Sequence, residues 1–422
     1  MSRSTDWSVR RVHHPGVACL ADLVGDPDSF IADDFSRRVC CYPGIVDPTF
    51  LADPERLWGD VLTGGTRTPA LRIVRQGDTL PRQRYTRSAG IGTETVDDLI
   101  QPNRVLELFD EGASLVLQGL QFTDPALGRL SNNLALDLDH PVQVNAYLSP
   151  AASRGLDVHF DYHDVLIVQL AGTKRWRVWQ RLERTRWPVR GAPGLAAPTL
   201  EELGQELGDP VLDRTLQPGD CVHIPRGCPH APETVDDESA HLTIGIMALT
   251  RQRLIDRALS STLGAAETAA LVPSGSLSSS AGGGDVLKLT ATEAAEALDA
   301  LEDALSGDSL RRLLAEAVWH RQPATRLRPR RPPLLTDDTT LAVMPGPLLW
   351  AERTDTAVTM GLGDRRMRLP VEAWSVVRAV LDDQRATFRI ADLAAELSTS
   401  IDADSLRTVI SKLACEGVVA GG

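Results

Sequence analysis

The sequence concentrates candidate metal ligands in the stretch LDVHFDYHDVLIVQLAGTKRWRVW, residues 156–179. His159 and Asp161 are two residues apart, so on an extended strand both side chains project to the same face. An imidazole and a carboxylate placed in this way can occupy two neighbouring positions around a metal ion. A polar loop that enters an ordinary buried strand has the same composition, so this pair taken alone is not specific for a metal site.

A third metal ligand is offered by His230 in the segment PGDCVHIPRGCPHAPE. PGD predicts a turn, CVHIP a strand, and RGCPH a return that presents His230 at the start of the next strand. Two histidines and one carboxylate with open coordination positions are the ligand set of non-haem Fe(II) oxygenases. We therefore predict that His159, Asp161 and His230 bind Fe(II), and that the open positions admit a bidentate co-substrate and O2.

Lys174 follows the turn AGT, and an antiparallel return would carry its side chain into the interior of a barrel. A buried ammonium group needs an anionic partner, and the C5 carboxylate of 2-oxoglutarate would provide one. The competing interpretation of Lys174 is an exposed lysine in a turn.

Other residues near these motifs are expected to have structural roles. Asp164 is expected to hydrogen-bond locally or to support a ligand, and His223 to be a satisfied histidine of the barrel. Trp176 is expected to pack within its strand. His241 could line the interior of a late strand, but a functional role is not predicted for it.

Short apolar segments separated by Gly, Pro and Asp predict the strands that must hold these side chains. From residue 141 onward they are PVQVNAYL, DVLIVQLAG, KRWRVWQ, QPGDCVHIP and AHLTIGIMAL. Strands of this length and spacing are typical of a small barrel. Upstream, residues 94–130 predict a helix over TVDDLIQPNRVLELFDEG, a strand over ASLVLQGL and another helix, and residues 17–35 predict one or two short helices.

The composition indicates a globular protein of two or three domains. Of the 422 residues, 42% are hydrophobic and 24% are charged, which is an ordinary globular balance. The formal net charge of -13 argues against a nucleic-acid-binding surface over the whole protein. The six cysteines show no CxxC spacing, so neither a zinc knuckle nor a disulfide framework is predicted. The absence of an apolar leader or a membrane-length run predicts a cytoplasmic protein without membrane contact.

The β pattern stops after Leu249 and helical segments replace it. PSGSLSSSAGGGD (273–285) predicts a flexible linker, and RLRPRRPPLL (326–335) predicts a second boundary. The final segment predicts two amphipathic helices, a longer helix and a short strand, an order typical of a winged helix. The segment of the longer helix contains two cations, Arg407 and Lys412, and three acidic residues, Asp402, Asp404 and Glu416. We therefore expect a protein-interaction role and no direct nucleic-acid binding.

Three segments together carry a resemblance to a known family. NAYLSPAASRGLDVHFDYHDVLIVQLAGTKRWRVW, LQPGDCVHIPRGCPHAPET and HLTIGI resemble the cupin-type JmjC oxygenases of the bacterial ribosomal-oxygenase group. Those proteins are Fe(II)- and 2-oxoglutarate-dependent protein hydroxylases. The resemblance covers about residues 140–250. The order of the remaining segments agrees with it, since that family places a helical dimerisation region and a winged helix after the barrel.

The resemblance implies an α+β fold in three parts. A catalytic domain over residues 1–250 would contain a double-stranded β-helix, that is, a cupin or jelly-roll barrel. A helical dimerisation region would cover 251–325, and a winged-helix-like domain would cover 336–422. The implied assembly is a homodimer, and the implied substrate is a side chain of a protein or peptide, with a ribosomal protein as one candidate.

The resemblance also implies roles for individual residues. His159, Asp161 and His230 take the iron positions, and Lys174 takes the position that binds the far carboxylate of 2-oxoglutarate. Three further residues, by the same resemblance, line the co-substrate pocket: Asn145, Tyr147 and Thr243. Cys228 stands where relatives often carry an aromatic residue before the distal histidine, and this difference leaves the identity of the substrate open.

Two alternatives belong to other functional classes. A non-catalytic regulatory or interaction protein could retain the metal-binding JmjC-like barrel and recruit a partner, but it would be expected to lack a ligand or the lysine. Another metal-dependent cupin, such as an isomerase, would use three or four histidines. The carboxylate of Asp161 and the amine of Lys174 argue against the second alternative.

Overall fold

The chain divides into two compact units in this computed structural model. The first unit contains His13–Ala248 and Gln322–Thr325, and the second contains Met1–Val12, Leu249–Arg321 and Arg326–Gly422. The residues that the structure describes are 6–63, 65–153, 156–183, 205–262, 298–299, 301–302, 304–323, 328–329 and 334–421. The linker predicted at 273–285 lies outside these ranges. No helix in the described part of the chain has the length and apolar character needed to cross a membrane.

The first unit is built mainly from antiparallel strands. Strand β1, Asp6–Arg10, belongs to the second unit. The strands of the first unit are β2 Cys40–Tyr42, β3 Leu71–Arg75, β4 Asp78–Thr79, β5 Thr86–Ile91, β6 Glu94–Ile100, β7 Ser114–Leu117, β8 Val142–Ser149, β9 Asp164–Ala171, β10 Lys174–Val178, β11 Leu212–Leu216, β12 Cys221–Ile224, β13 His230–Thr234 and β14 Ser239–Ile246. The five segments predicted as strands after residue 141 all lie in this set.

Two sheets hold the candidate site between them. The larger sheet has eight strands in the order β2-β12-β9-β14-β8-β7-β3-β4, and the smaller has the order β11-β10-β13. Side chains from both sheets form one buried cluster, which includes Val165 and Ile167 from the larger sheet and Trp176 and Val178 from the smaller. Such packing of two antiparallel sheets is the barrel that the strand pattern predicts.

The central strands explain why their sequences lack alternation of polar and apolar residues. From Asp164 to Leu170 every residue of β9 is buried, and so is every residue of β14. These two strands lie next to each other inside the larger sheet, so both of their faces are covered. In β8, by contrast, burial alternates, because one face of this strand borders the cavity described below.

Short helices precede the barrel strands, and one predicted helix is wrong in part. The helices are α1 Leu20–Val24, α2 Pro27–Ser29, α3 Pro48–Leu51, α4 Pro54–Leu62, α5 Pro102–Asp110, α6 Leu120–Thr123 and α7 Pro125–Leu138, with a π turn over Phe30–Asp34 and a 3-10 turn over Arg82–Arg84. Residues 94–100 form strand β6, paired with β5, where the sequence predicts the start of a helix. Pro102 occupies the first helical position of α5, and a proline disfavours helical backbone in the residue before it.

The second unit combines helices with two small sheets. Its helices are α8 Arg251–Thr262, α9 Gly307–Trp319, α10 Trp374–Val380, α11 Ile390–Glu396 and α12 Ala403–Cys415, with a 3-10 turn over Val371–Ala373. Its further strands are β15 Thr340–Val343, β16 Leu349–Arg353, β17 Val358–Gly361, β18 Arg366–Leu369, β19 Thr387–Arg389 and β20 Val419–Gly421. The sheets have the orders β1-β16-β17-β18 and β19-β15-β20. The predicted domain boundaries and the winged-helix assignment stay predictions.

Candidate metal centre and its cavity

Backbone hydrogen bonds join the two predicted metal-binding segments. The N–H of His159 donates to the carbonyl of His230 at 3.1 Å, and the N–H of His230 donates back to the carbonyl of His159 at 2.8 Å. The N–H of Gly227 donates to the carbonyl of Asp161 at 2.9 Å. These bonds bring the candidate ligand atoms of His159, Asp161 and His230 within 4.8 Å of one another.

The hydrogen bonds of the two histidines leave one nitrogen of each ring available to a metal ion. Nδ1 of His159 lies 2.7 Å from the carbonyl oxygen of Asp157, and Nδ1 of His230 lies 3.0 Å from that of Cys228. A carbonyl oxygen can only accept, so both Nδ1 atoms carry the hydrogen and both Nε2 atoms keep their lone pairs. This tautomer is the one that metal-binding histidines need. The residues therefore fit a divalent metal ion.

The electrostatics of the three side chains favour the same conclusion. Burial and the neighbouring His159 lower the pKa of His230 to about 4, so the ring is neutral at pH 7. Burial acts to raise the pKa of Asp161, but its electrostatic interactions with the neighbouring His163, His230 and His159 outweigh burial and hold that pKa below its usual value. A neutral imidazole and an ionised carboxylate are the protonation states that bind metal.

A cavity opens beside the three ligands and extends between the two sheets. Its wall combines apolar residues with polar and titratable side chains that converge on one space, as expected of a small-molecule site. The residues that line it are Val74, Ser114, Val116, Tyr147, Leu156, His159, Asp161, Ile167, Lys174, Trp176, His230, Pro232, His241 and Thr243.

Lys174 reaches this cavity from β10 and is almost completely buried. Its Nζ lies within hydrogen-bond distance of Oγ of Ser149, at 2.8 Å. Burial lowers the pKa of its amine to about 7. The antiparallel pairing of β10 with β13 places Lys174 opposite Thr234, so the AGT turn does carry the amine inward. The competing interpretation as an exposed lysine is wrong.

The other predicted co-substrate residues lie on the same side of the larger sheet. Tyr147 and Thr243 line the cavity, and burial raises the pKa of the Tyr147 hydroxyl to about 12. Asn145 stands directly opposite Thr243 in the pairing of β8 with β14. Its Oδ1 accepts from the backbone N–H of Gly119 at 3.0 Å, and it is not among the described residues that line the cavity.

His241 and Trp176 both border the cavity, although the sequence predicts a functional role for neither of them. The ring of His241 stacks on that of Tyr147, with centroids 4.8 Å apart, and meets the ring of Trp176 edge-on at 5.4 Å. Nδ1 of His241 and Nε1 of Trp176 are buried and have no hydrogen-bond partner among the described residues. Trp176 could have been found by its two-residue spacing from Lys174, which puts both on one face of β10.

Strand register decides the position of His241. His241 on β14 pairs with Tyr147 on the neighbouring strand β8. The pairing of β14 with its other neighbour, β9, shifts register between Ala240 and His241. Such irregularities often redirect side chains beside a functional site. No local sequence signal reveals this pairing.

Asp164 and His223 form a separate structural cluster. Asp164 accepts from the backbone N–H and the hydroxyl of Ser36, at 2.9 and 2.8 Å, and its Oδ1 lies 3.2 Å from Nε2 of His223. Nδ1 of His223 donates to the carbonyl of Arg38. These contacts agree with the structural roles expected for both residues.

Comparison with known proteins shows similarity to JmjC proteins. A family model described as the JmjC domain matches residues 120–254. This part of the chain is similar to JmjC domains. Ribosomal oxygenase 1 of Rattus norvegicus is 33% identical over 144 residues, which are 34% of this chain and 23% of that protein. A bifunctional lysine-specific demethylase and histidyl-hydroxylase NO66 of Dictyostelium discoideum is 32% identical over 145 residues, 34% of this chain and 27% of that protein. The chain thus spans about a quarter of the length of these curated relatives.

Solved structures resemble this chain over nearly its full length. The X-ray structure of YcfD from Escherichia coli has a TM-score of 0.56 at 17% identity and covers 95% of this chain and 99% of that chain. A structure of YcfD, described as a ribosomal oxygenase in complex with cobalt and 2-oxoglutarate, has a TM-score of 0.55 at 17% identity and covers 94% and 98%. This likeness supports the cupin-type fold, and the predicted resemblance to JmjC proteins of the ribosomal-oxygenase group is confirmed.

Proposed function

We propose that the protein is an Fe(II)- and 2-oxoglutarate-dependent oxygenase that hydroxylates a side chain of a protein or peptide. The observation that carries the proposal is the placement of one buried amine, Lys174, in the cavity whose wall also contains His159, Asp161 and His230. Two imidazoles and a carboxylate suit Fe(II), and an amine inside the same cavity suits the second carboxylate of 2-oxoglutarate.

The residues of the chain would bind and orient the reactants. His159, Asp161 and His230 would hold Fe(II), and Lys174 would form a charge-assisted hydrogen bond to the far carboxylate of 2-oxoglutarate. When bound, the iron supplies the oxidising chemistry, in which 2-oxoglutarate and O2 yield succinate, CO2 and one oxygen atom for a C–H bond of the substrate. Apolar wall residues such as Val116 and Ile167 would exclude water from the reacting groups.

The relatives support a protein substrate. Their names include ribosomal oxygenase and histidyl-hydroxylase, which describe action on ribosomal components or on histidine side chains. We therefore include a ribosomal protein among the candidate substrates of this chain. Because the chain spans about a quarter of the length of these relatives, its substrate is proposed from them by similarity.

A homodimer and an interaction role for the C-terminal region complete the proposal. Ile255 and Leu259 are one helical turn apart on α8 and both are exposed, so they present an apolar edge that a second copy could cover. In the proposed winged helix, Arg407 forms ion pairs with Asp337 and Asp404. This pairing neutralises one of the two cations on α12, which argues against phosphate binding there.

The test is anaerobic reconstitution with Fe(II), followed by measurement of Fe(II) affinity and of succinate formation. We expect Asp161→Ala to abolish tight Fe(II) binding, and Lys174→Ala to keep it but to weaken 2-oxoglutarate binding by more than about tenfold. Tight Fe(II) binding by Asp161→Ala would contradict the proposed ligand set. Binding of Fe(II) and 2-oxoglutarate by the wild type without any succinate formation would favour the non-catalytic alternative.

A further inference from the structure

Lysine is rare in this chain, and one of its few lysines lies in the cavity. Lysine and arginine together number 44, yet Lys174, Lys288 and Lys412 are the three lysines in the sequence. The two residue types differ in one respect that matters here. A buried lysine can lose its proton, whereas an arginine side chain stays charged in proteins. A residue that can be neutral therefore stands in the cavity of a chain that otherwise carries its positive charge on arginine.

The amine of Lys174 has a hydroxyl pair as its neighbour instead of a carboxylate. Ser149 Oγ lies 2.8 Å from the Lys174 Nζ and 2.9 Å from the Ser114 Oγ. The relative exposures of Lys174, Ser149 and Ser114 are 3%, 0% and 3%, so water does not replace these contacts. No described carboxylate forms an ion pair with the amine, and burial alone lowers its pKa to about 7.

The groups around Lys174 on the other strands add no negative charge at pH 7. His241 on β14 and Tyr147 on β8 are titratable residues of the cavity wall, and the wall also contains His159, Asp161 and His230 of the candidate metal centre. Asp161 is the carboxylate among them, and it does not raise the pKa of the amine, which burial alone lowers. Burial and the charge of Lys174 keep the pKa of His241 well below 6.5, and burial raises that of Tyr147 to about 12, so both are neutral. On the strands that flank β10, the residues paired with Lys174 are Leu216 and Thr234, which carry no charge.

A hydroxyl can serve a lysine in both of its protonation states. It accepts from an ammonium group and can donate to the lone pair of a neutral amine, whereas a carboxylate only accepts. A carboxylate in this position would hold the lysine charged and would compete with an incoming carboxylate. We propose that Ser149, held by Ser114, is a positioning residue for Lys174 that donates to the neutral amine in the empty cavity and accepts from the ammonium once a dicarboxylate binds.

Proton uptake from solvent follows from this arrangement. Above pH 7, where most of the amine is neutral, it takes up a proton when the far carboxylate of 2-oxoglutarate arrives. The ammonium then has two partners, the carboxylate and the Ser149 oxygen. The inference rests on the proposed function in one respect, because it takes 2-oxoglutarate as the dicarboxylate. The contact of Ser149 with the amine does not depend on which co-substrate binds.

The three lysines make a direct measurement practical. Full-length protein labelled with 13C at the lysine ε carbons gives one signal for each lysine, and Lys174→Met assigns the signal of interest. The Zn(II)-loaded protein, which does not turn over, is titrated from pH 5 to 11 with and without 2-oxoglutarate. Calorimetry at pH 7.5 in buffers of different ionisation enthalpy gives the affinity and the number of protons taken up.

Substitutions of Ser149 distinguish positioning from simple packing. We expect Ser149→Ala to lower the titration midpoint of Lys174 by about one pH unit and to weaken 2-oxoglutarate binding about tenfold, because the ammonium loses an acceptor. Ser149→Thr should restore both values. Ser149→Asp should keep Lys174 charged across neutral pH and weaken 2-oxoglutarate binding by about a hundredfold or more. Ser131→Ala is the matched control, because it removes an equally buried hydroxyl whose Oγ bonds to the carbonyl of Gly128 instead.

The outcomes separate the inference from the proposed function. Unchanged midpoint and affinity in Ser149→Ala, wild-type affinity in Ser149→Asp, or an equal loss in Ser131→Ala would each overturn the role of Ser149. A titration midpoint of Lys174 near pH 10.5 in the wild type would show that the buried amine stays charged, and it would contradict the inference. Failure of the metal-loaded wild type to bind 2-oxoglutarate would refute the proposed function, and the titrations of the empty cavity would still decide whether Ser149 contacts the amine.

Discussion

Replacement of Lys174 by methionine should make the protein more stable while it abolishes co-substrate binding. The amine is buried without a carboxylate partner, and its pKa falls from 10.5 to about 7. Each pH unit between these values corresponds to about 1.4 kcal/mol, so keeping this amine in the folded protein at pH 7 costs roughly 5 kcal/mol. Methionine has a similar length and no charge. We expect Lys174→Met to raise the free energy of unfolding at pH 7 by about 3–5 kcal/mol, after allowance for lost contacts.

The pH dependence has a definite sign. Between pH 7 and 10.5 the unfolded chain binds a proton at Lys174 that the folded protein lacks, so the stability of the wild type rises with pH over this range. The methionine variant has no such titration. Its advantage should therefore be largest at pH 7 and below, and it should disappear as the pH approaches 10.5.

Urea unfolding followed by tryptophan fluorescence at half-unit steps from pH 7 to 10.5 measures this difference. Lys412→Met, which replaces an exposed lysine of α12, is the control and should leave stability unchanged at every pH. Loss of stability in Lys174→Met at pH 7, or an advantage that is the same at pH 7 and 10.5, would refute the reasoning. Binding of 2-oxoglutarate at wild-type affinity by this variant would show that the amine does not hold the co-substrate.

Three further outcomes are expected. Trp176→Phe keeps an aromatic ring but removes the buried Nε1 donor, which has no partner among the described residues, so it should retain metal binding and weaken 2-oxoglutarate binding. Calorimetry with 2-oxoglutarate measures this affinity, and an unchanged value would show that the donor does not contact the ligand. Gly172→Ala should destabilise the protein by more than about 2 kcal/mol in urea, because Gly172 has φ +58° and an added Cβ would collide with the backbone oxygen of Glu238; a stable variant would argue against this tight turn before β10. Ile255→Asp on α8 should convert the proposed dimer into a monomer by light scattering at micromolar concentration, and a wild type that is already monomeric would contradict the dimer.

Local rules account for much of the fold and for the polar face of the candidate site. The two-residue spacing of His159 and Asp161 predicts that they project to one side of an extended segment. The PGD turn leads to strand β12, and the return RGCPH ends at His230, where β13 begins. The Val- and Ile-rich segments after residue 141 predict the barrel strands. Residues 94–100 show where such rules fail, because pairing with β5 and the position of Pro102 outweigh a helix-like pattern.

The sequence by itself determined which residues could bind a metal and a carboxylate, because residue type and period-two spacing are local properties. Only the tertiary structure decided which side chains surround them. His241 meets Tyr147 through the pairing of β14 with β8, and Ser114 meets Ser149 where β7 lies beside β8. These partners are far apart in the chain, and strand register is set by the burial of whole strands, which no short motif encodes.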